Sequence, residues 1–387
     1  MIGLKTGFRG AISLLLLWVV LHPFAQAQFS TSAGQAVVYD FETWQLLYTK
    51  NADQSMAPSS MTKIMTAYVV FQALEAGEID LSQRLRITDQ AYRHVGSSMY
   101  LRLGTTVSVD QLLRGLIVQS GNDAAVALAQ GLSGSVATFV QRMNDTARNL
   151  GMSNSRFMNP SGLNQEGHYS TATDMAILSR ALIRDFPQFY DYFSQTEFTY
   201  ANVRQLNRNL LLEGNLGVDG IKTGYTDAGG YGQATSAFDP ETGRRVVVVF
   251  NGTDSKAARK REAERLVEFG LYSFANHDLF HAGQIIGYAP VWLGDQAQIP
   301  LEVGRRVQRT LRRDAINNMQ GTLVLYQSPL EAPIEEGEVV GKLLYFSLGM
   351  SGETAPFEET VYAGKSVAEL SRVEAAVQGI RHYLLNP

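Results

Sequence analysis

Ser60 and Lys63 stand three residues apart in the run Pro58-Ser59-Ser60-Met61-Thr62-Lys63, and this pair is the chain's sharpest chemical signal. On a helix, residues at i and i+3 share a face. The setting just after Pro58 puts Ser60 at a helix start, where unpaired N–H groups of the first turn face negative charge developing on an attacked carbonyl. A serine hydroxyl is a poor nucleophile until a neighbouring base takes its proton. A lysine is such a base only when burial and nearby positive charge lower its pKa toward neutrality. Ser59 is the weaker candidate, because the third residue after it is Thr62. Taken alone, S-x-x-K is more often a capping serine and a surface lysine.

Two further motifs follow in order. Ser120-Gly121-Asn122 lies in a loop between helical patterns around Leu116 and Ala125, so a hydroxyl and a carboxamide two apart can point into one cleft. One would relay a proton and the other would hold a substrate amide. Lys222-Thr223-Gly224 follows Val218-Asp219-Gly220-Ile221 and reads as a strand edge. There a cation and a hydroxyl can bind a substrate carboxylate while glycine leaves room for backbone approach. The tripeptide is weak by itself, since Lys5-Thr6-Gly7 repeats it near the N-terminus.

Together, S-x-x-K, S-x-N and K-T-G in that order resemble the penicillin-recognising serine enzymes. Four stretches narrow the resemblance to the low-molecular-mass D-alanyl-D-alanine carboxypeptidases. These are Gly167-His168-Tyr169-Ser170 with Asp174-Met175-Ala176, Val203 to Asn209, Val218 to Gly224, and Pro290 to Asp295. The resemblance implies Ser60 as acylated nucleophile, Lys63 as proton acceptor and Ser120 as proton relay. It implies Asn122 on the substrate backbone, and Lys222 and Thr223, helped by Arg208, on the terminal carboxylate. Gly224 and Tyr225 complete the substrate-binding edge, and the backbone N–H groups of Ser60 and Tyr225 would form the oxyanion hole. The implied substrates are peptidoglycan stem pentapeptides, with β-lactam antibiotics as covalent inhibitors and no cofactor. Tyr225 departs from the many members with His there, which keeps the N–H and removes an imidazole.

Positioning these groups calls for an α+β domain over roughly 28–275, with helices against an antiparallel sheet of the penicillin-binding type. Gln35 to Tyr48 reads as two strands around an Asp-Phe-Glu-Thr turn, and Ser60 to Ala76 as a helix carrying Ile64, Tyr68, Phe71 and Leu74 on one face. Gln111 to Leu132 and Ala137 to Leu150 are helical patterns. Arg244 to Phe250 is a buried strand, followed by a charged helix over Ser255 to Phe269. Strands at both ends with helices between them suggest a sheet closed by both termini of the domain. After Phe274 short β-rich runs between Pro and Gly turns, such as Gly321 to Tyr326 and Val339 to Phe346, predict a small all-β domain over roughly 280–363. In 365–387, Val367, Leu370, Val373, Val377, Ile380 and Leu384 recur at spacings of three and four. That pattern predicts an amphipathic helix, suited either to peripheral contact with the inner membrane or to packing on the β-domain or another subunit.

Lys5 and Arg9, the apolar run Ala11 to Leu21 and Ala25-Gln26-Ala27 predict a cleaved leader over residues 1–27, hence a periplasmic protein that can attach to the outer face of the cytoplasmic membrane. The chain has no cysteine, which excludes disulfides and thiolate metal sites, and its net charge of −4 offers nothing to nucleic acid. His277 and His281 have a helical metal spacing but no glutamate beside the first, so no metal is expected; His94 and His168 read as surface or packing residues. Arg305, Arg306, Arg309, Arg312 and Arg313 read as a solvated strand face, with an anionic envelope polymer as the functional alternative. The rival functions are a D,D-endopeptidase, a β-lactamase and a non-catalytic wall-binding protein. Glu166 lies between the second and third motifs, but Ser170 stands where the E-x-x-x-N pattern of class A β-lactamases has Asn.

Overall fold

The computed structural model describes residues 29–313, 319–347 and 357–385; the expected leader lies outside them. The chain opens with a hairpin of β1 (Gln35–Asp40) and β2 (Leu46–Lys50). A single turn of 3-10 helix, Ser59–Met61, then feeds α1 (Thr62–Glu75). Nearly all of α1 is buried, including Thr62, Lys63 and Thr66, so it is a core helix with no solvent face to speak of. Around it come β3 (Arg84–Arg86), α2 (Asp89–Tyr92), β4 (Thr106–Ser108), α3 (Val109–Ile117), α4 (Asn122–Ser133), α5 (Val136–Asn149) and α6 (Ala172–Asp185). Ser108, Ser135 and Thr171 start α3, α5 and α6 by accepting from first-turn N–H groups, the usual function of a hydroxyl at that position. The ribbon of β5 (Glu197–Tyr200) and β6 (Val203–Leu206) leads to β7 (Val218–Thr226), β8 (Gly230–Asp239), β9 (Arg244–Thr253) and α7 (Lys256–Tyr272).

The main sheet is antiparallel, ordered β2-β1-β9-β8-β7, so strands from the two ends of the domain meet at β1 and β9, as expected from the sequence. The run Val246 to Val249 is buried on both faces. Val247 and Val249 join the helical core, while Val246 faces Gly270 of α7, where a side chain would collide with Val38 and Val246.

The second half is all-β, as expected. A six-stranded sheet, ordered β14-β16-β17-β12-β11-β15, comprises β11 (Gln284–Trp292), β12 (Gln298–Val303), β14 (Met319–Leu325), β15 (Leu330–Glu331), β16 (Val339–Ser347) and β17 (Phe357–Ala363). β10 (Phe274–Phe280) and β13 (Val307–Arg312) pair separately. His277 thus lies on a strand, and no metal-holding cluster occurs among the described residues. The arginine stretch is largely neutralised internally: Arg305 and Arg309 pair with the buried Glu359, and Arg306 with Asp278. That removes much of the free charge an anionic polymer would need.

α8 (Arg372–Leu385) starts later than the apolar pattern suggested. Val367 is buried in the β-domain, where its backbone bridges to Ile334, so it leaves the predicted stripe. Val373, Val377 and Ile380 remain, exposed at 76%, 49% and 62%. No single described helix is long and apolar enough to cross a membrane.

A buried ion pair ties the two halves together. Arg244 meets Asp40 at 2.9 Å and donates to the carbonyls of Leu271 and Phe274, where α7 hands over to β10. Asp40 also accepts from Thr43 and Asn276. Removing one partner leaves the other charge buried and unpaired, so Asp40→Ala is expected to lose roughly 3–5 kcal/mol in chemical denaturation. A loss below about 1 kcal/mol would show that the pair carries no weight.

Candidate active site

The 3-10 turn and the first turn of α1 bring Ser60 and Lys63 together as their spacing requires. Lys63 is fully buried, and its Nζ lies 3.1 Å from Ser60 Oγ, 2.7 Å from Asn122 Oδ1 and 2.5 Å from the Ser161 carbonyl. Burial, reinforced by the charge of Arg208 and opposed by Asp123, lowers its pKa to about 7. A neutral amine has two N–H bonds and one lone pair. Asn122 and Ser161 offer two fixed acceptors, which leaves the lone pair for the Ser60 hydroxyl. The arrangement can therefore take a proton from Ser60 without reorganising.

Ser120 and Asn122 enter at the break between α3 and α4. Ser120 has φ +64° and a buried Oγ with no hydrogen-bond partner, an orphan at the edge of the cavity. Asn122 opens α4 and donates from Nδ2 to the Val95 carbonyl. Asp123 beside it accepts from Ser98 Oγ and from the backbone N–H groups of Met99 and Leu101. These bonds hold the 95–101 loop against the start of α4.

β7 forms the opposite wall. Lys222, Thr223 and Gly224 are buried, and Tyr225 is 48% exposed. Lys222 donates to the Thr223 carbonyl at 3.4 Å; burial first, then the charges of Lys63, Arg208 and Arg259, push its pKa well down. Tyr225 turns outward, stacks against Tyr231 at 4.2 Å and donates to Asp227, so its hydroxyl is engaged away from Ser60. Ser60, Ser120, Asn122, Arg208, Thr223, Gly224 and Tyr225 line one cavity of about 700 Å³. Glu166 is exposed and does not line it.

Several contributors were not foreseen. The Ser161 carbonyl comes from a turn in which Asn159 Oδ1 accepts from the N–H groups of Ser161 and Gly162. Gly162, at φ +81°, presses so closely on the Ser59 carbonyl that a Cβ would lie 1.8 Å from it. Asn-Pro-Ser-Gly marks a turn in sequence, but nothing local says which carbonyl faces Lys63. His168 accepts from Met158 N–H and meets Thr62 Oγ1 at 2.9 Å; burial lowers its pKa to about 4, consistent with a packing residue. His94 is half-buried and lies 3.3 Å from Ser161 Oγ. Ser59 is buried, with its Oγ against Thr226.

Residues 22–254 match the family described as D-alanyl-D-alanine carboxypeptidase, and residues 274–369 match the penicillin-binding protein 5 C-terminal domain. The chain is 38% identical over 331 residues to D-alanyl-D-alanine carboxypeptidase DacA of Escherichia coli, covering 84% of this chain and 82% of that one. Penicillin-binding protein 5 from Haemophilus influenzae is similar in structure, with a TM-score of 0.75 and 34% identity over 88% of this chain and 99% of that one. Penicillin-binding protein D2 from Listeria monocytogenes, in an ampicillin-bound form, has a TM-score of 0.58 and 33% identity over 63% of this chain and 99% of that one. With both halves matched and the three motifs gathered round one cavity, the chain belongs to the D-alanyl-D-alanine carboxypeptidase family of penicillin-binding serine peptidases.

Proposed function

We propose that this chain is a serine carboxypeptidase that removes the terminal D-alanine from peptidoglycan stem pentapeptides, with Ser60 as nucleophile. The observation that carries the reading is the buried Lys63 amine, near-neutral in pKa and directed at Ser60 Oγ between two fixed acceptors. Ser60 Oγ attacks the carbonyl before the terminal residue while Lys63 takes the hydroxyl proton. The N–H groups of Ser60 and Tyr225 hold the resulting oxyanion. The peptide C–N bond breaks, Ser120 passes the proton from Lys63 to the departing amine, and D-alanine leaves. Water then attacks the Ser60 ester; Lys63 takes one of its protons and returns it to Ser60 Oγ as the ester bond breaks, and the shortened peptide departs as its acid. Asn122 and the edge of β7 hold the substrate backbone. Lys222 and Thr223, with Arg208, hold the terminal carboxylate, which supplies the anion these groups lack among the described residues. Penicillins enter by the same attack and remain as a slowly hydrolysed ester. Glu166, exposed and outside the cavity, gives the β-lactamase alternative no deacylating base.

Incubation with benzylpenicillin is expected to leave a long-lived adduct on Ser60 by peptide mapping, together with D-alanine release from a D-Ala-D-Ala-terminated pentapeptide. An adduct on Ser59 or Ser120 would refute the assignment.

Because the neutral amine is the base, the second-order acylation rate constant should rise with pH through about 7 and level off above it. Lys63→Arg cannot lose its proton and should acylate at least ~10²-fold more slowly. A profile flat from acid to alkaline pH would point to another base.

A substrate ending in a carboxamide should lose roughly 10- to 100-fold in kcat/KM, the scale of one charge-assisted interaction. Equal turnover of acid and amide would free Lys222 from this duty.

The leader over residues 1–27 would deliver the enzyme to the periplasm. Val373, Val377 and Ile380, exposed on α8, would rest on the outer face of the cytoplasmic membrane. In liposome flotation the mature chain should float and a version ending at Gly364 should stay soluble. Identical behaviour, with lower thermal stability for the shorter form, would make α8 a packing element.

A further inference from the structure

Arg208 does not stand alone in the cavity wall. From Gln205 to Leu210, Gln205 and Asn209 are buried in the protein and the other four residues line the cleft. Gln205 is 3% exposed and donates to the Met99 carbonyl. Asn207 donates to the Gln195 carbonyl, and its Oδ1 accepts from Asn209 N–H. Asn209 is 4% exposed, donates to the Gly220 carbonyl and accepts from Gln233. Leu206, Asn207, Arg208 and Leu210 line the cavity, with Asn207 held in place by the bonds just named. Leu206 and Leu210 are 57% and 54% exposed, one on each side of the guanidinium in sequence.

On the reading that Arg208 helps hold the substrate's terminal carboxylate, the position of these leucines has a chemical meaning. The leaving residue's side chain branches from the carbon bonded to that carboxylate, about 2.5 Å from the carboxyl carbon by ordinary bond lengths. It must therefore lie among the groups that flank Arg208. A methyl group covers little of two leucine side chains, and apolar surface in a cleft gains when a ligand takes it from water. We propose that this wall is a side-chain subsite for the leaving residue and that the enzyme accepts D-amino acids with bulky apolar side chains, such as D-leucine, at least as well as D-alanine. Gln205, Asn207 and Asn209 anchor this stretch, so the subsite is preformed and need not be assembled by the substrate. The subsite rests on the carboxypeptidase reading and deepens it.

The test is a series of peptides identical up to the penultimate D-alanine and ending in D-alanine, D-leucine or D-aspartate, with kcat/KM taken from release of the free amino acid. The wild-type ratio of D-leucine to D-alanine should be 1 or more. In Leu206→Ser/Leu210→Ser that ratio should fall by about tenfold or more, the scale at which a hydrophobic pocket discriminates by one or more methylenes. Leu206→Ile/Leu210→Ile should retain most of the preference. Penicillin labelling of Ser60 in each variant reports that the fold and nucleophile survive. A wild-type ratio below 1, or a ratio the serine variant does not move, overturns the subsite. D-aspartate as the fastest leaving residue also overturns it, because the cleft would then be reading charge through Lys256 and Arg259, which line the same cavity. D-alanine release with a ratio below 1 leaves the carboxypeptidase reading intact, whereas absence of both D-alanine release and a Ser60 adduct removes both.

Discussion

The amine of Lys63 sits where water does not reach, and much of the catalytic half is arranged around that fact. A lysine in such a place is costly as an ammonium and comfortable as an amine, provided its N–H bonds find acceptors. Asn122 and the Ser161 carbonyl provide them from two separate segments, the break before α4 and the turn after α5. The first is clamped by Asp123 to the 95–101 loop, and the second by Asn159 and by close contact at Gly162 with the Ser59 carbonyl. The nucleophile's backbone, its base and the base's acceptors thus form one packed unit.

The surrounding charge acts in the same direction. Among the described residues no carboxylate pairs with Arg208, Lys222 or Arg259, and each bears on the electrostatics of the next. The charge of Arg208 disfavours a proton on Lys63, and the group attracts an anion into the cleft. Asp123 is the acid that opposes this, and its oxygens are already occupied by the loop. Arg208 therefore both favours the neutral base and prepares the site for a carboxylate, which links reactivity to recognition.

How far the sequence reaches depends on the range of the interaction. The spacing of Ser60 and Lys63 is helical and local, so their meeting was legible, as were the buried strand at Val246 to Val249 and the β-rich second half. Ser120 and Asn122 were legible as a pair, but their contact with Lys63 crosses the domain and no periodicity encodes it. Ser161 contributes a carbonyl, which every residue has, so its side chain carried no signal. Asp123 stands beside a motif, and an acid at a helix start already has an ordinary explanation, so nothing in the sequence sets it apart. Val367 joined the C-terminal stripe by spacing alone, and its burial in the β-domain is a tertiary event that spacing does not see. Arg305, Arg306 and Arg309 read as free charge because their partners, Glu359 and Asp278, lie on other strands.

The strand order has a consequence for how the enzyme comes into being. β1 lies between β2 and β9, so the first hairpin of the domain has no inner neighbour until the last strand arrives. During vectorial synthesis or transport the N-terminal hairpin waits with one edge open, and an isolated hairpin has little stability of its own. Closure by β9 is a long-range event that is slow and comes late. A chain with this topology completes its sheet, and with it the wall that carries Lys222, only after β9 has been made.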